Sequence, residues 1–372
     1  MHATIGRKIL GKRLNIIGII GKNGKSTIAE IVRHCYSTLG IKSKLSSAEE
    51  FSEKSLDETY EKPVKDVIIE ISLRAIKYKK TSYIDFDSLI FTNSGKKIDP
   101  DEKWTMMRPF IALPLDKTAI INIDDAHGAD FCDVTIGSTI TYAINKPADI
   151  KACNIKLAID KTEFDLHYKG SFACKIKIPY FGIYNVYNTL AAVAHLVNLG
   201  YNPEKIALLL QDLPQIEGRF DTFTTQTGIK IVVDHARTPE SIGAVLKSLA
   251  IACRGSIITV VGADEATSAA ERTAIGKSAL AYSKQVIFTT DNPRAEEPQS
   301  IIYDITKGNI RQNYRICIDR EKAIEIALKM AEQQDVVILL GKGHKKIQAI
   351  GGKTNFFCDK TTAKYLVQKF EI

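Results

Sequence analysis

A glycine-rich run that joins a strand-like segment to a helix-like one constrains this chain more than any other feature. The run reads IGKNGKST at residues 20–27, and it follows the apolar residues 13–20. Behind it, Ile28, Ile31 and Val32 share one helical face. Backbone N–H groups of such a turn, at the positive end of a helix, can hold a chain of phosphates. The order strand, turn, helix therefore predicts an α/β fold with a phosphate-binding loop.

Two side chains of this run carry the chemistry that such a loop needs. Lys25 is placed to reach the β- and γ-phosphates of a nucleotide, and the Ser26 hydroxyl to contact Mg²⁺. The strict pattern has glycine at position 19, whereas this chain has Ile19, with Gly18 one residue earlier. The loop is therefore a variant, and a plain strand–helix turn with a surface lysine remains the alternative.

The length and the net charge of the chain indicate its number of domains and the kinds of partner it can bind. A chain of 372 residues is too long for one ordinary core and predicts two domains or three. The net charge of +8 is a mild excess, and no dense basic run has interleaved aromatics, so we expect no nucleic-acid partner. No apolar run approaches membrane length, so we also expect no membrane contact.

The cysteines and the N-terminus indicate the compartment. The seven cysteines are scattered and lack C-x-x-C spacing, which predicts reduced thiols in a cytoplasmic protein. Basic residues precede the apolar stretch Leu14–Ile20, but this stretch is short and continues into the glycine-rich run, so we reject a signal peptide. Neither the cysteines nor the seven histidines have zinc-binding spacing.

Apolar runs between turn-rich flanks predict a sheet in each half of the chain. A hairpin is predicted around residues 169–171, and a hinge at 214–218. The first half has strand-like runs and helical patterns at Val67–Ser72, Ser88–Asn93, Thr118–Ile123, Val186–Leu199 and Pro203–Leu213. Beyond the hinge, strands alternate with helices, which predicts a second open α/β sheet. Its strand-like runs are Lys230–Asp234, Ser256–Val261, Gln285–Thr290, Arg315–Ile318 and Asp335–Leu340.

Nine short motifs, spread in order over nearly the whole chain, carry a resemblance to a known family. They are GKNGKST (21–27), IIEIS (68–72), FTN (91–93), INIDD (121–125), GIYNVYNTLAA (182–192), IEGRF (216–220), VVDHARTPE (232–240), DNPRAEEP (291–298) and GKGHKKIQ (341–348). Together they resemble the Mur ligases, and among these the branch that adds diaminopimelate to the peptidoglycan stem peptide.

The resemblance implies a fold and a reaction. Residues 1–216 would form a P-loop-like central domain with a mostly parallel sheet, and residues 217–372 a smaller Rossmann-like domain, with ATP between them. A substrate carboxylate would attack the γ-phosphate of ATP and become an acyl phosphate. An amine would then displace phosphate, which gives an amide, ADP and phosphate. Mg²⁺ and cationic side chains would neutralise the charge that develops.

The resemblance also implies roles for particular residues. Catalytic roles fall to Lys25, Glu70 and Arg219, and the magnesium ligands to Ser26 and Glu70. Nucleotide contacts fall to Gly21, Asn23, Gly24, Lys25, Ser26, Thr27, Asn185, Asn188, Arg219 and Asp234. Substrate contacts fall to Arg237, Arg272, Asp291, Asn292, Arg294, His344 and Lys345. The two asparagines near 185 also fit plain helix caps, whereas a lone carboxylate in the apolar strand around Glu70 is costly without a function.

The metal site departs from the family pattern. After FTN, family members have an Asp-His pair and, further on, a lysine that becomes carbamylated and helps to hold a second Mg²⁺. This chain has KKID at residues 96–99, and the lysine position falls near Ala112. Lys96, Lys97 or Lys103 would replace the charge of the second metal, or the protein works with one Mg²⁺, or the site is inactive.

The acceptor motifs depart as well. The family's Gly-Gly-Asp-Arg loop is replaced by residues 263–266, although Arg272 stays in register, and Arg237 stands where histidine is usual. The family's Gly-Lys-Gly-His-Glu signature ends here in Lys345 instead of the glutamate that grips the far amino group of diaminopimelate. Since a lysine there would repel an ammonium and attract a carboxylate, we expect an acceptor richer in carboxylates, unless Lys345 points to solvent.

The first motif begins close to the N-terminus, where family members of the cell-wall pathway carry a UDP-binding domain. We therefore expect an ATP-dependent ligase for a small-molecule carboxylate and an amine other than the standard UDP-muramoyl peptide, or a partner protein that supplies the missing surface. A Mur-like ligase with a carbon nucleophile on a polycarboxylate cofactor precursor is one alternative. A non-catalytic ATP-binding subunit is another.

Overall fold

The computed structural model describes residues 14–51, 64, 66–95, 98–308 and 311–372. The chain divides into two compact units. The first runs to residue 214, except for residues 157–159 and 180–182, which group with residues 215–372 in the second. The division lies two residues from the boundary that the resemblance implies.

The first unit is built on a nine-stranded sheet with the order β2-β3-β1-β4-β5-β6-β7-β8-β9. Its strands are β1 Asn15–Ile20, β2 Ser43–Ser47, β3 Asp66–Ile71, β4 Ser88–Phe91, β5 Thr118–Asn122, β6 Ser138–Ala143, β7 Ile150–Ala158, β8 Lys161–Tyr168 and β9 Ser171–Ile178. Its helices are α1 Lys25–Thr38, α2 Leu73–Lys77, α3 Pro100–Ile111, α4 Gly128–Val134, α5 Ile183–Asn198 and α6 Pro203–Leu209.

The strands from β1 to β6 are parallel. The central strands β1, β3, β4 and β5 are mostly apolar and buried, as expected for strands that are covered on both faces of the sheet. Strand β1 lies between β3 and β4, so the carboxyl ends of these three strands meet at one edge. Ile19 of β1 pairs in register with Glu70 of β3, which brings this carboxylate beside the glycine-rich loop. The predicted hairpin is the antiparallel pair β8–β9.

One predicted helix is too long. The apolar pattern extends to Leu213, but α6 ends at Leu209 with Leu210 as its C-cap. The helix begins with Asn202 as its N-cap, whose side chain accepts a hydrogen bond from Lys205 N. The apolar residues Leu210 and Leu213 therefore follow the helix and belong to the connection that leads to the second unit. The apolar pattern continues past Leu209 and so does not indicate where the helix ends.

The second unit is built on a six-stranded sheet with the order β10-β11-β15-β12-β13-β14. Its strands, with a separate hairpin β16–β17, are β10 Asp221–Thr224, β11 Lys230–Asp234, β12 Ile257–Val261, β13 Gln285–Phe288, β14 Tyr314–Ile316, β15 Val336–Leu340, β16 Ile347–Ile350 and β17 Lys353–Phe356. Its helices are α7 Pro239–Ala252, α8 Ala269–Tyr282, α9 Pro298–Thr306, α10 Arg320–Met330 and α11 Asp359–Lys369.

All neighbours in this sheet are parallel except the edge pair β10–β11. The loops that follow β11, β12, β13 and β15 therefore leave from the same edge, which is where open α/β sheets bind ligands. The α/β class and the mostly parallel sheets agree with the sequence prediction. The short strands β10, β16 and β17 carry no long apolar run, and the sequence reading missed them.

Within the ranges that the structure describes, no helix is both long enough and apolar enough to span a membrane.

Candidate active site

The glycine-rich loop of the first unit is tied to the residues that follow β4. Asn23 N donates to Asn93 Oδ1 at 3.1 Å, and Asn93 Nδ2 donates back to Asn23 O at 3.0 Å. Thr92 Oγ1 donates to the same carbonyl at 2.7 Å, and Lys22 N donates to Asn93 O at 2.8 Å. Four hydrogen bonds thus fix the loop before any ligand arrives. Thr92 and Asn93 belong to the FTN motif, but sequence reasoning gave them no role.

Two glycines of the loop lie in places that no other residue fits. Gly21 has φ 148°, and a Cβ there would lie 1.9 Å from Thr92 Oγ1. Gly24 has φ 90°, and a Cβ there would lie 2.4 Å from Asn188 Oδ1. A left-handed conformation and a close neighbour both require glycine. The run is therefore a tightly packed turn that requires glycine at these two positions, and its binding of phosphate remains a prediction.

Lys25 and Ser26 open helix α1. Lys25 Nζ donates to Gly21 O at 2.6 Å, so its ammonium lies over the loop itself. Ser26 Oγ donates to Glu70 Oε2 at 2.7 Å. One cation, one hydroxyl and one carboxylate thus meet at the positive end of a 14-residue helix. Such an end attracts the anionic groups of a nucleotide.

Ser26 and Glu70 also fit Mg²⁺. Both offer oxygen atoms, and Mg²⁺ is commonly bound by one or two protein carboxylates together with substrate phosphates and water. No cluster of three or more His, Cys, Asp or Glu side chains with a metal-binding arrangement occurs in the described part of the chain. A magnesium ion at this pair would therefore take most of its ligands from the nucleotide and from water.

Asn188 lies next to the loop, and Asn185 supports it. Asn188 Nδ2 donates to Asn185 Oδ1 at 3.1 Å, and both side chains are buried. Because Asn188 Oδ1 is the atom that a Cβ on Gly24 would meet, α5 packs directly against the phosphate-binding loop. The pair is thus more than a helix cap, and its predicted contact with nucleotide remains a prediction.

Of the three lysines proposed to replace the charge of a second metal ion, only Lys103 is among the described residues. Lys96 and Lys97 lie outside the described residues. Lys103 Nζ forms an ion pair with Asp130 Oδ2 at 3.0 Å, and His127 Nδ1 lies 3.0 Å from the same oxygen. Lys103 is therefore engaged with α4, which leaves its role in charge replacement a prediction.

In the second unit, Asp234 at the end of β11 holds the hinge-like loop. Its Oδ2 accepts from Phe220 N and its Oδ1 from Ala236 N, both at 2.7 Å. Burial raises the pKa of Asp234, and the nearby Arg219 and the two backbone donors oppose that rise. Both oxygens thus already accept a backbone hydrogen bond, and the predicted ribose contact of Asp234 remains a prediction. Arg219 is half-buried beside it.

His235 is a residue of this region that sequence reasoning missed. Its ring lies 5.3 Å from that of His344, and its Nδ1 lies 3.3 Å from Lys342 O. Burial, together with the cations Arg219, Arg237 and Lys345, lowers the pKa of His235 to about 3. The imidazole is therefore neutral at physiological pH. His235 lies in the motif VVDHARTPE, which could have pointed to it, but the sequence analysis assigned substrate contact in this motif only to Arg237.

Asp291 is a buried residue beside the fully buried Lys342. It is only 4% exposed, and its Oδ1 lies 3.7 Å from Nζ of the fully buried Lys342. Lys342 Nζ donates to Ile347 O at 2.8 Å. The pair joins the loop after β13 to the loop after β15, and the predicted substrate contact of Asp291 remains a prediction.

Arg272 is a buried residue whose guanidinium is bound by carboxylates. The residue is 5% exposed, and its guanidinium binds both carboxylate oxygens of Glu296, at 2.7 and 2.6 Å. It also donates to Asp304 Oδ2 at 3.1 Å and to Glu265 O at 3.1 Å. A buried bidentate pair of this kind fixes geometry. Arg272 thus fixes Glu296 of the acceptor motif, and its predicted substrate contact remains a prediction.

Asn292 and Arg294 lie at the open edge of the sheet. Asn292 Nδ2 donates to Asp264 Oδ2 at 3.2 Å, and Asn292 Oδ1 accepts from Ala349 N at 2.8 Å. Arg294 N donates to Ala349 O at 2.9 Å, and the Arg294 side chain is exposed. The predicted acceptor residues thus meet here, together with Asp264, to which the sequence gave no role.

Family models match both units. Residues 103–196 match the Mur ligase middle domain. Residues 218–343 match the model described as Mur ligase, glutamate ligase domain.

Curated relatives match over most of the chain. A UDP-N-acetylmuramoyl-L-alanyl-D-glutamate--2,6-diaminopimelate ligase of Clostridium acetobutylicum is 32% identical, with 96% of this chain and 79% of that protein covered. The corresponding ligase of Halalkalibacterium halodurans is 28% identical, with 99% of this chain and 82% of that protein covered.

A solved structure shows the same fold. The folylpolyglutamate synthase of Mycobacterium tuberculosis, determined with ADP and AMPPCP, superposes with a TM-score of 0.73. It covers 88% of each chain at 13% identity.

Proposed function

Because this chain belongs to the Mur ligase family, we propose that it activates a substrate carboxylate as an acyl phosphate with ATP and joins it to an amine. The products are an amide, ADP and phosphate. We further propose that its substrates differ from the standard UDP-muramoyl peptide and diaminopimelate pair. The first part follows from the family, and the second rests on particular residues of this chain.

The observation that carries the reaction is the set formed by Lys25, Ser26 and Glu70 at the start of α1. The Lys25 ammonium lies over the loop, where it would neutralise negative charge on the β- and γ-phosphates. A loop held by hydrogen bonds from Thr92 and Asn93 needs little rearrangement to bind the phosphate chain. Such preorganisation is the main way in which phosphoryl transfer is catalysed.

Mg²⁺ would be held by the Ser26 hydroxyl and the Glu70 carboxylate, which already lie within hydrogen-bond distance of each other. When bound, it would supply positive charge to the phosphate oxygens. Glu70 is the half-buried residue of the otherwise buried strand β3, so its carboxylate is accessible to such an ion.

The different substrate is supported by the acceptor motifs. Lys345 stands where the family signature has glutamate, and Arg237 stands where histidine is usual. Both changes place an additional positive charge near the open edge of the second sheet. A substrate with more negative charge than the standard pair would benefit from them, because opposite charges attract across a few ångströms.

Hydroxamate formation tests the proposal. The protein is incubated with Mg-ATP, hydroxylamine and a panel of carboxylic acids, and ADP release is followed in parallel. Hydroxylamine intercepts an acyl phosphate without the natural amine. We expect hydroxamate with at least one acid, and its loss in Lys25→Ala. A protein that binds ATP but forms no hydroxamate from any acid would support the non-catalytic alternative.

A further inference from the structure

A cavity of about 460 Å³ lies in the second unit, between the segment before β10, the residue before β16 and the start of α11. Its lining includes ammonium groups, an aromatic ring, a thiol and a carboxylate, from Lys346, Lys360, Lys364, Phe356, Cys358 and Glu217. We call this cavity the lysine pocket. Its volume lies in the range of about 300–1,000 Å³ that is typical of sites for small organic molecules.

The fold brings the three lysines together from two places in the chain. Lys360 and Lys364 lie four residues apart in α11, so their side chains leave the same face of the helix. Lys346 comes directly before β16, and its carbonyl oxygen accepts a hydrogen bond from Phe357 N at 3.0 Å. This bond holds Lys346 beside the segment that leads from β17 into α11. The three side chains therefore border one cavity.

Two of the lysines have carboxylate partners of very different strength. Lys360 Nζ lies 2.8 and 2.7 Å from the two oxygens of Asp221, whose side chain is 3% exposed. Lys346 Nζ lies 3.5 Å from Glu217 Oε1, and both of these side chains are more than half exposed. Solvent screens such a pair, so it contributes little. The Lys360 charge is therefore compensated, whereas that of Lys346 remains accessible to a ligand.

Lys364 adds positive charge that has no carboxylate partner among the residues that the structure describes. Its side chain is exposed, and its Nζ lies 5.6 Å from the centroid of the Phe223 ring. Three ammonium groups thus border the lysine pocket against two carboxylates, those of Asp221 and Glu217. The pocket therefore keeps a surplus of positive charge, which attracts an anion.

Phe356 gives the lysine pocket an apolar side. It is 74% exposed, and it is paired across the hairpin β16–β17 with Ile347, which is 59% exposed. Single exposed apolar side chains are common on protein surfaces, but this ring borders a cavity that is also lined by the buried Cys358. Aromatic rings gain free energy when another flat apolar group covers them. The pocket thus offers an apolar contact beside its positive charge.

These two features together favour one class of ligand. A cation is repelled by the surplus of positive charge. A small inorganic anion is attracted but leaves the Phe356 ring uncovered, and a neutral aromatic molecule covers the ring but gains nothing from the lysines. An organic molecule with an aromatic body and an acidic group satisfies both the ring and the ammonium groups.

We propose that the lysine pocket binds a small aromatic anion, whose acidic group lies between Lys346 and Lys364 and whose ring packs on Phe356. Lys360 stays bound to Asp221 and forms part of the wall. The inference goes beyond the proposed ligase reaction, because the pocket shares no residue with the predicted nucleotide, metal and substrate contacts. Binding is therefore measured without ATP and without either substrate.

Two fluorescent probes that differ only in the acidic group test the proposal. The first is 8-anilinonaphthalene-1-sulfonate, and the second is N-phenyl-1-naphthylamine, which has the same aromatic body without the sulfonate. Fluorescence titration of the full chain measures both dissociation constants. We expect the sulfonate to bind about tenfold more tightly than the neutral amine, because the lysines contact only its charged group. Equal affinities, or no saturable binding of the sulfonate, would overturn the proposal.

Paired substitutions assign the binding to the pocket. Lys346→Met/Lys364→Met should remove the preference for the sulfonate and leave the affinity for the neutral amine unchanged. Lys353→Met/Lys369→Met is the matched control, because it removes the same charge from β17 and α11 outside the pocket. Phe356→Ala should weaken both probes and keep their ratio. All five side chains are exposed, so we expect every variant to fold.

Two further results would refute the lysine pocket as the site. One is a preference for the sulfonate that survives in Lys346→Met/Lys364→Met or that falls equally in the control variant. The other is displacement of the sulfonate by saturating Mg-ADP, which would assign the probe to the nucleotide site in the first unit. We expect Mg-ADP to leave the affinity for the sulfonate unchanged.

Discussion

The phosphate-binding loop of the first unit and the acceptor loops of the second are built in different ways. The first is a single run, residues 20–27, whose backbone is held by Thr92 and Asn93 just beyond the neighbouring strand. The second is assembled from loops more than 80 residues apart in the chain, between Asp264 and Lys345. A site made of backbone can be recognised in one motif, whereas a site made of converging side chains requires the sheet order.

The two sites are also held in place by different kinds of residue. Short polar side chains and glycines hold the phosphate-binding loop. Buried charges hold the acceptor loops, with Lys342 beside Asp291 and Arg272 bound to Glu296. We therefore expect the first site to be sensitive to added volume and the second to lost charge. The following substitutions test this contrast in order of expected effect.

Lys342→Met should give the largest effect on stability. It removes the ammonium that lies 3.7 Å from Asp291 Oδ1, in an environment that is nearly closed to solvent. Removal of one partner of a buried pair costs about 3–5 kcal/mol, measured as the free energy of unfolding in urea. Lys346→Met is the control, because its pair with Glu217 is more than half exposed and should contribute below about 1 kcal/mol. Equal losses in the two variants would contradict the buried support.

Gly21→Ala should abolish most nucleotide binding. The new Cβ would lie 1.9 Å from Thr92 Oγ1, so the loop must move away from the residues that hold it. We expect ATP affinity to fall about a hundredfold, or about 2.7 kcal/mol, in a fluorescence or calorimetric titration.

Gly40→Ala separates the effect of volume from that of conformation. Gly40 also has a left-handed φ, 73°, but a Cβ there would meet no neighbouring atom of the described residues within 4 Å. This variant should lose about 1 kcal/mol of stability with unchanged ATP affinity. A similar loss of ATP affinity in both glycine variants would show that ATP binding does not depend on the packing of Gly21 against Thr92.

The local structure of the first site was predictable because its determinants are close in the chain. The order of β1, loop and α1 follows from one short run, whereas the roles of Lys25, Ser26 and Glu70 remain predictions. The sequence did not show that Arg272 and Asp291 are buried. Their surroundings depend on Glu296, Asp304 and Lys342, which are distant in the chain and come close only through the fold of the second unit.

The pH dependence should differ between the two units. Burial lowers the pKa of His195 in α5 to about 4, and its Nε2 bonds to Tyr36 Oη at 2.7 Å. The unfolded state therefore binds more protons than the folded state between pH 6.5 and pH 4, so stability falls as pH falls through that window. The part of this loss that comes from His195 is about 3 kcal/mol by pH 4, and His195→Gln should remove that part.

His235 provides the contrast in the second unit. Its pKa is lowered first by burial and then by three cations, Arg219, Arg237 and Lys345. Added salt screens such charges, so the pKa of His235 should rise with ionic strength, whereas that of His195 should stay constant. Nuclear magnetic resonance titration of the two imidazoles at low and high salt measures this. Equal salt dependence would show that the cations around His235 have no effect on it.

Arg272→Lys should have a smaller effect than Lys342→Met or Gly21→Ala. Lysine keeps the charge but cannot bind both oxygens of Glu296. We expect acceptor affinity to fall about tenfold, or about 1.4 kcal/mol, with hydroxamate formation unchanged. A loss of hydroxamate formation instead would assign Arg272 to the activation step.

The most direct test of carboxylate activation follows the oxygen atoms. The acid found by hydroxamate formation is labelled with ¹⁸O in its carboxylate, and the phosphate released during amide formation is analysed by mass spectrometry. An acyl phosphate requires one carboxylate oxygen to leave with the phosphate, so we expect one ¹⁸O in each phosphate. Phosphate without ¹⁸O, released together with the amide, would contradict activation through an acyl phosphate.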